Sequence, residues 1–279
     1  MFHRDPTQTT VPPGALSREK QIALLIGAAL AVFLLLIGLV LAVYYSLHPA
    51  AAATKPLSGI PRGQSTVGPL GPDDPAQARR DDLAARPMRP GSPADAQPSV
   101  LSTGDPGSIV LPRSTTTGPA GVPAGFEHTP AGALAQLAAI DKASLDSASL
   151  GGARTVIDQW ATPGGPTAAT WSGVKAMADF LSAAGLSAGR APNLALTATP
   201  IMGLVKAADG PDWVVACVDF EVDATLARTA RVALADCQRM VWQGDRWVIG
   251  PGREPAPPPS IWPGTDAAID AGYKELRSG

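Results

Sequence analysis

The sequence predicts an α+β protein: a single N-terminal transmembrane helix, a disordered linker, and a domain of three helices followed by a four-stranded antiparallel sheet. Three observations lead there. Residues 22–45 form an uncharged apolar run of 24 positions. Residues 48–125 hold 14 prolines and show no hydrophobic period. Beyond residue 126 apolar residues recur at helical spacing, and past Gly185 they alternate instead. The expected boundaries are 1–20 for a cytoplasmic tail, 21–47 for the span, 48–125 for the linker, 126–250 for the exported domain, and 251–279 for a Pro-rich strap with a C-terminal helix.

The run QIALLIGAALAVFLLLIGLVLAVYYSL (residues 21–47) is long enough to cross a hydrocarbon core of about 30 Å with some tilt. Tyr44 and Tyr45 fall where an interfacial aromatic belt forms, and Arg18 and Lys20 precede the span closely. The positive-inside rule places the N-terminus in the cytoplasm and the C-terminal domain outside the cell. Residues 48–54, HPAAAAT, also offer small residues in a signal-peptidase pattern. Signal h-regions are about 7–15 residues, so the length favours an uncleaved single-pass anchor in the cell membrane.

The linker has too few aliphatic residues to offset the entropy of ordering it. Within it, ARRDDLAARPMR (78–89) is a charged island, read as a solvated segment or a transient helix.

The stretch FEHTPAGALAQLAAI (126–140) opens the folded part. Thr129 suits an N-cap and Pro130 the first helical position, with Leu134, Leu137 and Ile140 following on one face. A second helix covers 149–161, with Val156, Ile157 and Trp160 together, and TPGGP (162–166) stops it. A third runs from about residue 167 to 184. Strands follow at 193–209, 212–223 and 228–250, the last turning at Gln243-Gly244-Asp245 into a short return strand.

Pairing the second and third strands about Ala227 sets Val222 against Val232, Phe220 against Leu234 and Val214 against Met240, all on one face. Asp236 and Gln238 interrupt that face. On the other, Asp223 meets Arg231 and Cys217 meets Cys237; a one-residue slip would exchange the two. Cys217 and Cys237 are the chain's two cysteines. An even pair in an exported domain reads as a candidate disulfide, two half-buried thiols being the alternative. The strap PGREPAPPPSIWPG (251–264) carries Ile261 and Trp262, which either dock on the domain or serve as a partner contact. Thr265 then caps a helix bearing Ile269, Tyr273 and Leu276 on one face.

Residues 126–279 carry 12 Lys/Arg against 16 Asp/Glu, a balance that offers no footprint for nucleic acid. His128 stands alone in the folded region, just before the first N-cap. Asp219 and Glu221 share a strand with the core residues and are expected to face solvent. The chain has no GxSxG elbow, phosphate loop, HExxH or paired-cysteine zinc spacing. A non-enzymatic protein without cofactor or metal is the expectation.

A span, a linker and three helices before a curved antiparallel sheet resemble the bitopic scaffold subunit of type IV secretion systems, with its cone-like nuclear transport factor 2-like domain and TcpC-type Gram-positive counterpart. FEHTPAGALAQLAAI is similar to the pattern of actinobacterial conjugative-element membrane proteins. The resemblance implies a scaffold that acts by protein–protein contact, with membrane lipid around residues 21–47, other envelope or secretion subunits and a second copy of itself as partners. The Asn-Pro-x-Gly turn of Gram-negative members is absent, and the tail helix is extra. A lipid or small-molecule transport accessory of the Mce-associated kind, using the cone interior as a pocket, is the second expectation.

Overall fold

The computed structural model describes residues 74–186 and 193–279. The expected span at 21–47 lies outside them, and among the described residues no helix is long and apolar enough to cross a membrane. The described chain has five helices, α1 (Pro75–Ala85), α2 (Pro130–Asp146), α3 (Leu150–Trp160), α4 (Ser172–Ala183) and α5 (Asp266–Asp270). Its strands are β1 (Ser108–Leu111), β2 (Thr116–Thr117), β3 (Pro123–Ala124), β4 (Ala195–Ala208), β5 (Trp213–Thr225), β6 (Thr229–Gln243), β7 (Arg246–Ile249) and β8 (Lys274–Ser278). Six of them form one curled sheet in the order β1-β8-β4-β5-β6-β7. All its pairings are antiparallel except β1 with β8.

This architecture corrects the expected one of three helices and a four-stranded antiparallel sheet. The sheet has six strands and is mixed, because the segment expected to be linker contributes β1 and the expected tail helix contributes β8. Ser-Ile-Val-Leu (108–111) is a short β-favouring run between Gly107 and Pro112, and it pairs in parallel with residues 275–278. The tail helix stops after one turn, since Gly272 takes φ +92° and diverts the chain into β8.

The charged island is also ordered. Asp74 caps α1 by accepting from the Ala76 N–H at 2.9 Å. Arg79 and Arg80 both pair with Asp209, Asp81 pairs with the buried Arg239, and Lys206 Nζ donates to the Ala84 carbonyl at 3.0 Å. The helix has one buried residue, Ala84, so ion pairs to distant positions hold it rather than an apolar stripe.

Strands β5 and β6 pair over thirteen positions in the register centred on Ala227, including Val222 with Val232 and Cys217 with Cys237. Side chains alternate, so this one ladder fixes both faces of the sheet. Val214, Ala216, Val218 and Phe220 point to the layer of α2, α3 and α4 and join Leu134, Leu137, Ile157 and Trp160 in the main core. Trp213, Val215, Cys217 and Cys237 point the other way, where Ala84, Ile261, Ala268 and Tyr273 cover them. The lower edge of β6 is closed by irregular chain: Ala233 N–H donates to the Ala96 carbonyl and Ala235 N–H to Ser260 Oγ.

Helix α2 begins at a crowded node. The Glu127 carbonyl accepts from the Thr129 N–H at 2.8 Å and from the indole N–H of Trp247 at 2.9 Å. Gly132, whose N–H donates to Thr129 Oγ1, packs directly over that carbonyl, and a Cβ there would lie 1.9 Å from the oxygen. The glycine is therefore needed for close approach. Gly132→Ala should cost about 1–3 kcal/mol, the usual range for forcing backbone apart in a packed region. Urea unfolding of the variant beside the parent chain checks this, and an unchanged midpoint would refute the node.

Candidate functional site

Cys217 and Cys237, opposite one another in the ladder, are joined by a disulfide. It lies in the cluster under α1 and the strap, with Met88 Sδ 3.9 Å from Cys237 Sγ. Ile261 is 2% exposed in the same cluster, and Trp262 is 6% exposed beneath the guanidinium of Arg231, 5.1 Å from its ring centroid. Both strap side chains dock on the domain, and Trp262 also lines an open groove.

His128 stacks on Trp242 at 4.2 Å between centroids, and its Nε2 lies 2.7 Å from Asp212 Oδ1. Trp247 meets the same imidazole edge-on, with 5.5 Å between centroids. Glu221 pairs with Arg231 as a surface carboxylate would. Asp219 departs from expectation: it is fully buried, because α1, the strap and α5 cover the face expected to meet solvent. Neither of its oxygens has a hydrogen-bond partner of ordinary geometry. Burial pushes its carboxyl up to about 9, opposed in part by the Ile261 N–H. Tyr273, under the same cover, donates its hydroxyl to the Pro259 carbonyl at 3.0 Å, and burial holds its phenol far above its usual range.

The feature with most chemical content lies on the helix side of the sheet. A cavity of about 80 Å³ is bounded by Asp141, Ser144 and Leu145 of α2, Trp171, Ser172, Gly173 and Ala176 at the start of α4, Phe220 of β5, and Leu234, Ala235 and Asp236 of β6. Asp141 and Asp236 are carboxyls on its wall, and a third carboxyl, Glu254, lies against Ser172. Glu254, from the strap, accepts from the Ser172 N–H at 2.9 Å and from Ser172 Oγ at 3.0 Å. It thereby caps α4, whose own N-cap residue, Trp171, has no side-chain acceptor to give. Asp236 accepts from Gln238 Nε2 at 2.9 Å, and Gln238 also reaches Glu254 at 3.3 Å.

Asp141 stands outside this network. It is 4% exposed, and neither oxygen has a hydrogen-bond partner. Burial, reinforced by the negative charge of Asp236 and Glu254, pushes its carboxyl well above the usual range. Burial also raises Asp236, to about 6, against the opposing hydrogen bond from Gln238. The Trp171 indole N–H, likewise buried, is unpartnered. Among the described residues no Lys or Arg pairs with any of the three carboxyls, and no group of three or more His, Cys, Asp or Glu side chains is placed to hold a metal ion.

Asp236 and Gln238 were visible in the sequence as breaks in an apolar strand face. Asp141 was not singled out, although it continues the Leu134–Leu137 face of its helix by one turn and so had to be buried. Open grooves on the described surface include one of about 630 Å³ between α2 and the β1 end, lined in part by Arg113 and Lys142, one of about 610 Å³ beside Leu101, Trp262 and Glu275, and one of about 600 Å³ beside Thr170, Arg253 and Glu254. Compared with protein families, curated proteins and solved structures, the chain matches none.

The buried Asp219 makes a pH test. The folded chain keeps a proton that the unfolded chain loses near pH 4, so stability falls as pH rises from about 4 to about 9. Asp219→Asn removes that slope, and its advantage over the parent should widen by up to about 1.4 kcal/mol per pH unit across the window. Urea titrations at pH 5 and pH 8 measure the difference; a gap that stays constant or narrows would contradict a buried neutral acid.

Proposed function

We propose that the chain is a non-enzymatic, single-pass membrane scaffold of a conjugative transfer or type IV secretion complex, anchored by residues 21–47 with its C-terminal domain outside the cell. It acts by protein–protein contact, with other envelope or secretion subunits and a second copy of itself as partners.

The observation that carries this reading is the filled interior. Trp160, Trp171, Phe220 and Trp247 are each at most 2% exposed in the space between helices and sheet. The cavity left there, about 80 Å³, is far below the roughly 300–1,000 Å³ of a site for a drug-sized ligand, and an acyl chain would not enter it. That weighs against the alternative of a lipid carrier working through the domain's interior. The surface supplies grooves instead, and the order of apolar segment, connecting chain and exported domain suits a part that bridges layers of an envelope. The likeness of residues 126–140 to conjugative-element membrane proteins supports the choice of complex.

Site-specific photocrosslinking from the α2–β1 groove, at Ala139 and at Arg113, tests the proposal in intact membranes. Crosslinks to conjugative or secretion subunits, or to a second copy, are the expected result. Recovery of lipid alone, with no protein adduct from either position, would overturn it.

A further inference from the structure

We propose that residues 75–89 form a releasable flap over the Cys217–Cys237 disulfide, latched by ion pairs, and that lifting it opens the bond to reduction by a dithiol. The domain thereby carries a redox switch with an ionic latch. This goes beyond the scaffold reading and does not depend on it.

The flap is α1 together with the chain that follows it to Arg89. Its apolar grip is small: Ala84 is its one buried residue, with Leu83 and Met88 half-buried in the same cluster. Charge supplies the rest, and each contact reaches a different element. Arg79 and Arg80 pair with Asp209 in the β4–β5 turn, Asp81 with Arg239 on β6, and Arg89 with Asp270 at the end of α5. Lys206 of β4 donates to the Ala84 carbonyl, which also accepts from the Ala256 N–H of the strap. The Arg80 guanidinium lies 5.8 Å from the ring centroid of Trp213. Surface ion pairs hold weakly one by one, and dissolved salt screens them. The side chains of Arg79, Asp81, Arg89 and Asp270 are each more than half exposed, so screening reaches the latch directly.

The bond beneath is closed to solvent. Cys217 and Cys237 are at most 2% exposed, and Met88 of the flap lies against the second sulfur, Sδ to Sγ 3.9 Å. Ile261 and Tyr273, from the strap and the tail, complete the cover, and they are held by nearly full burial. Salt does not weaken that kind of contact. The flap is therefore the part that leaves first, and Cys237 Sγ is the sulfur it uncovers.

Thiol–disulfide exchange needs a thiolate to touch a sulfur, so access sets the rate. With the flap lifted, one thiolate of the dithiol attacks Cys237 Sγ. The S–S bond breaks, and Cys217 leaves as a thiolate and takes up a proton. The second thiol of the reagent, as its thiolate, then attacks the mixed disulfide. A cyclic disulfide departs, and Cys237 leaves as a thiolate and is protonated. Two electrons pass from the dithiol, which is oxidised, to the cystine, which is reduced, and the β5–β6 ladder loses its covalent clamp.

The test is the rate at which dithiothreitol reduces the full chain in detergent, read by alkylation and mass spectrometry. It is run in about 0.1 M and about 1 M sodium chloride, between which the screening length falls from about 10 Å to about 3 Å. Each rate is divided by that of the urea-unfolded chain in the same salt, which removes the effect of salt on the reagent. High salt should raise the normalised rate at least about threefold, and Asp209→Asn, which takes the partner from two arginines, should raise it about fivefold in low salt. Gly132→Ala, which loosens the helix layer on the other side of the sheet, should leave the rate unchanged. The monothiol 2-mercaptoethanol should be trapped on Cys237. Rates indifferent to salt and to Asp209→Asn, equal acceleration by Gly132→Ala, or trapping on Cys217 would each overturn the proposal. If Asp209→Asn does not fold, Arg79→Gln at the exposed end of the same pair decides, and an unchanged rate there counts against the latch.

Discussion

A strand pair that runs for thirteen residues in one register leaves little else in the sheet to be chosen. In the β5–β6 ladder each position commits a side chain to one of two sides, and here both sides are buried. Helices α2, α3 and α4 take one set; α1, the proline-rich strap and α5 take the other. Three layers on a strongly twisted sheet are usually built from regular elements. Here one outer layer is largely irregular chain, and prolines supply its stiffness. The disulfide between Cys217 and Cys237 clamps the ladder at mid-length, under that irregular layer.

This covering explains the unusual placement of acids. On an antiparallel sheet with one wet face, Asp219 would be an ordinary solvated carboxylate. Under the strap it becomes a neutral acid beside Tyr273 and Ile261. On the opposite side Asp236 occupies the helix-facing set and is met by Glu254, which reaches round from the strap to cap α4. The strap thus ties the two layers together: its Ile261 fills one face and its Glu254 seals a helix on the other. Asp141 is left in the field of both acids without a partner of its own.

Much of the central domain was legible in the sequence, because its information is local. Thr129 with Pro130 marks the start of α2, the TPGGP stretch ends α3, and the alternation in 212–223 fixes β5. Even the pairing of Cys217 with Cys237 follows from a hairpin counted about Ala227. The periphery was illegible for a physical reason: its elements are stabilised by residues far away in the chain. Helix α1 buries one alanine and depends on Asp209 and Arg239, more than a hundred positions later. In the tail, Ile269, Tyr273 and Leu276 satisfy a helical period that Gly272 then breaks. Asp219 followed the rule for a wet face and was wrong only because the strap could not be foreseen. Of the candidate site, Asp236 and Gln238 stood out as anomalies, while Asp141 was hidden among small residues of its helix.

The pairing of β1 with β8 joins residues 108–111 to 275–278, nearly the full breadth of the folded region. Contacts of such sequence separation form late, because a long loop must close before they are rewarded. During synthesis β1 therefore waits, unzipped, until the last strand has left the ribosome. The outer edge of the sheet is thus completed only once residues 275–278 are available, and loss of that strand would leave β1 with nothing to pair against.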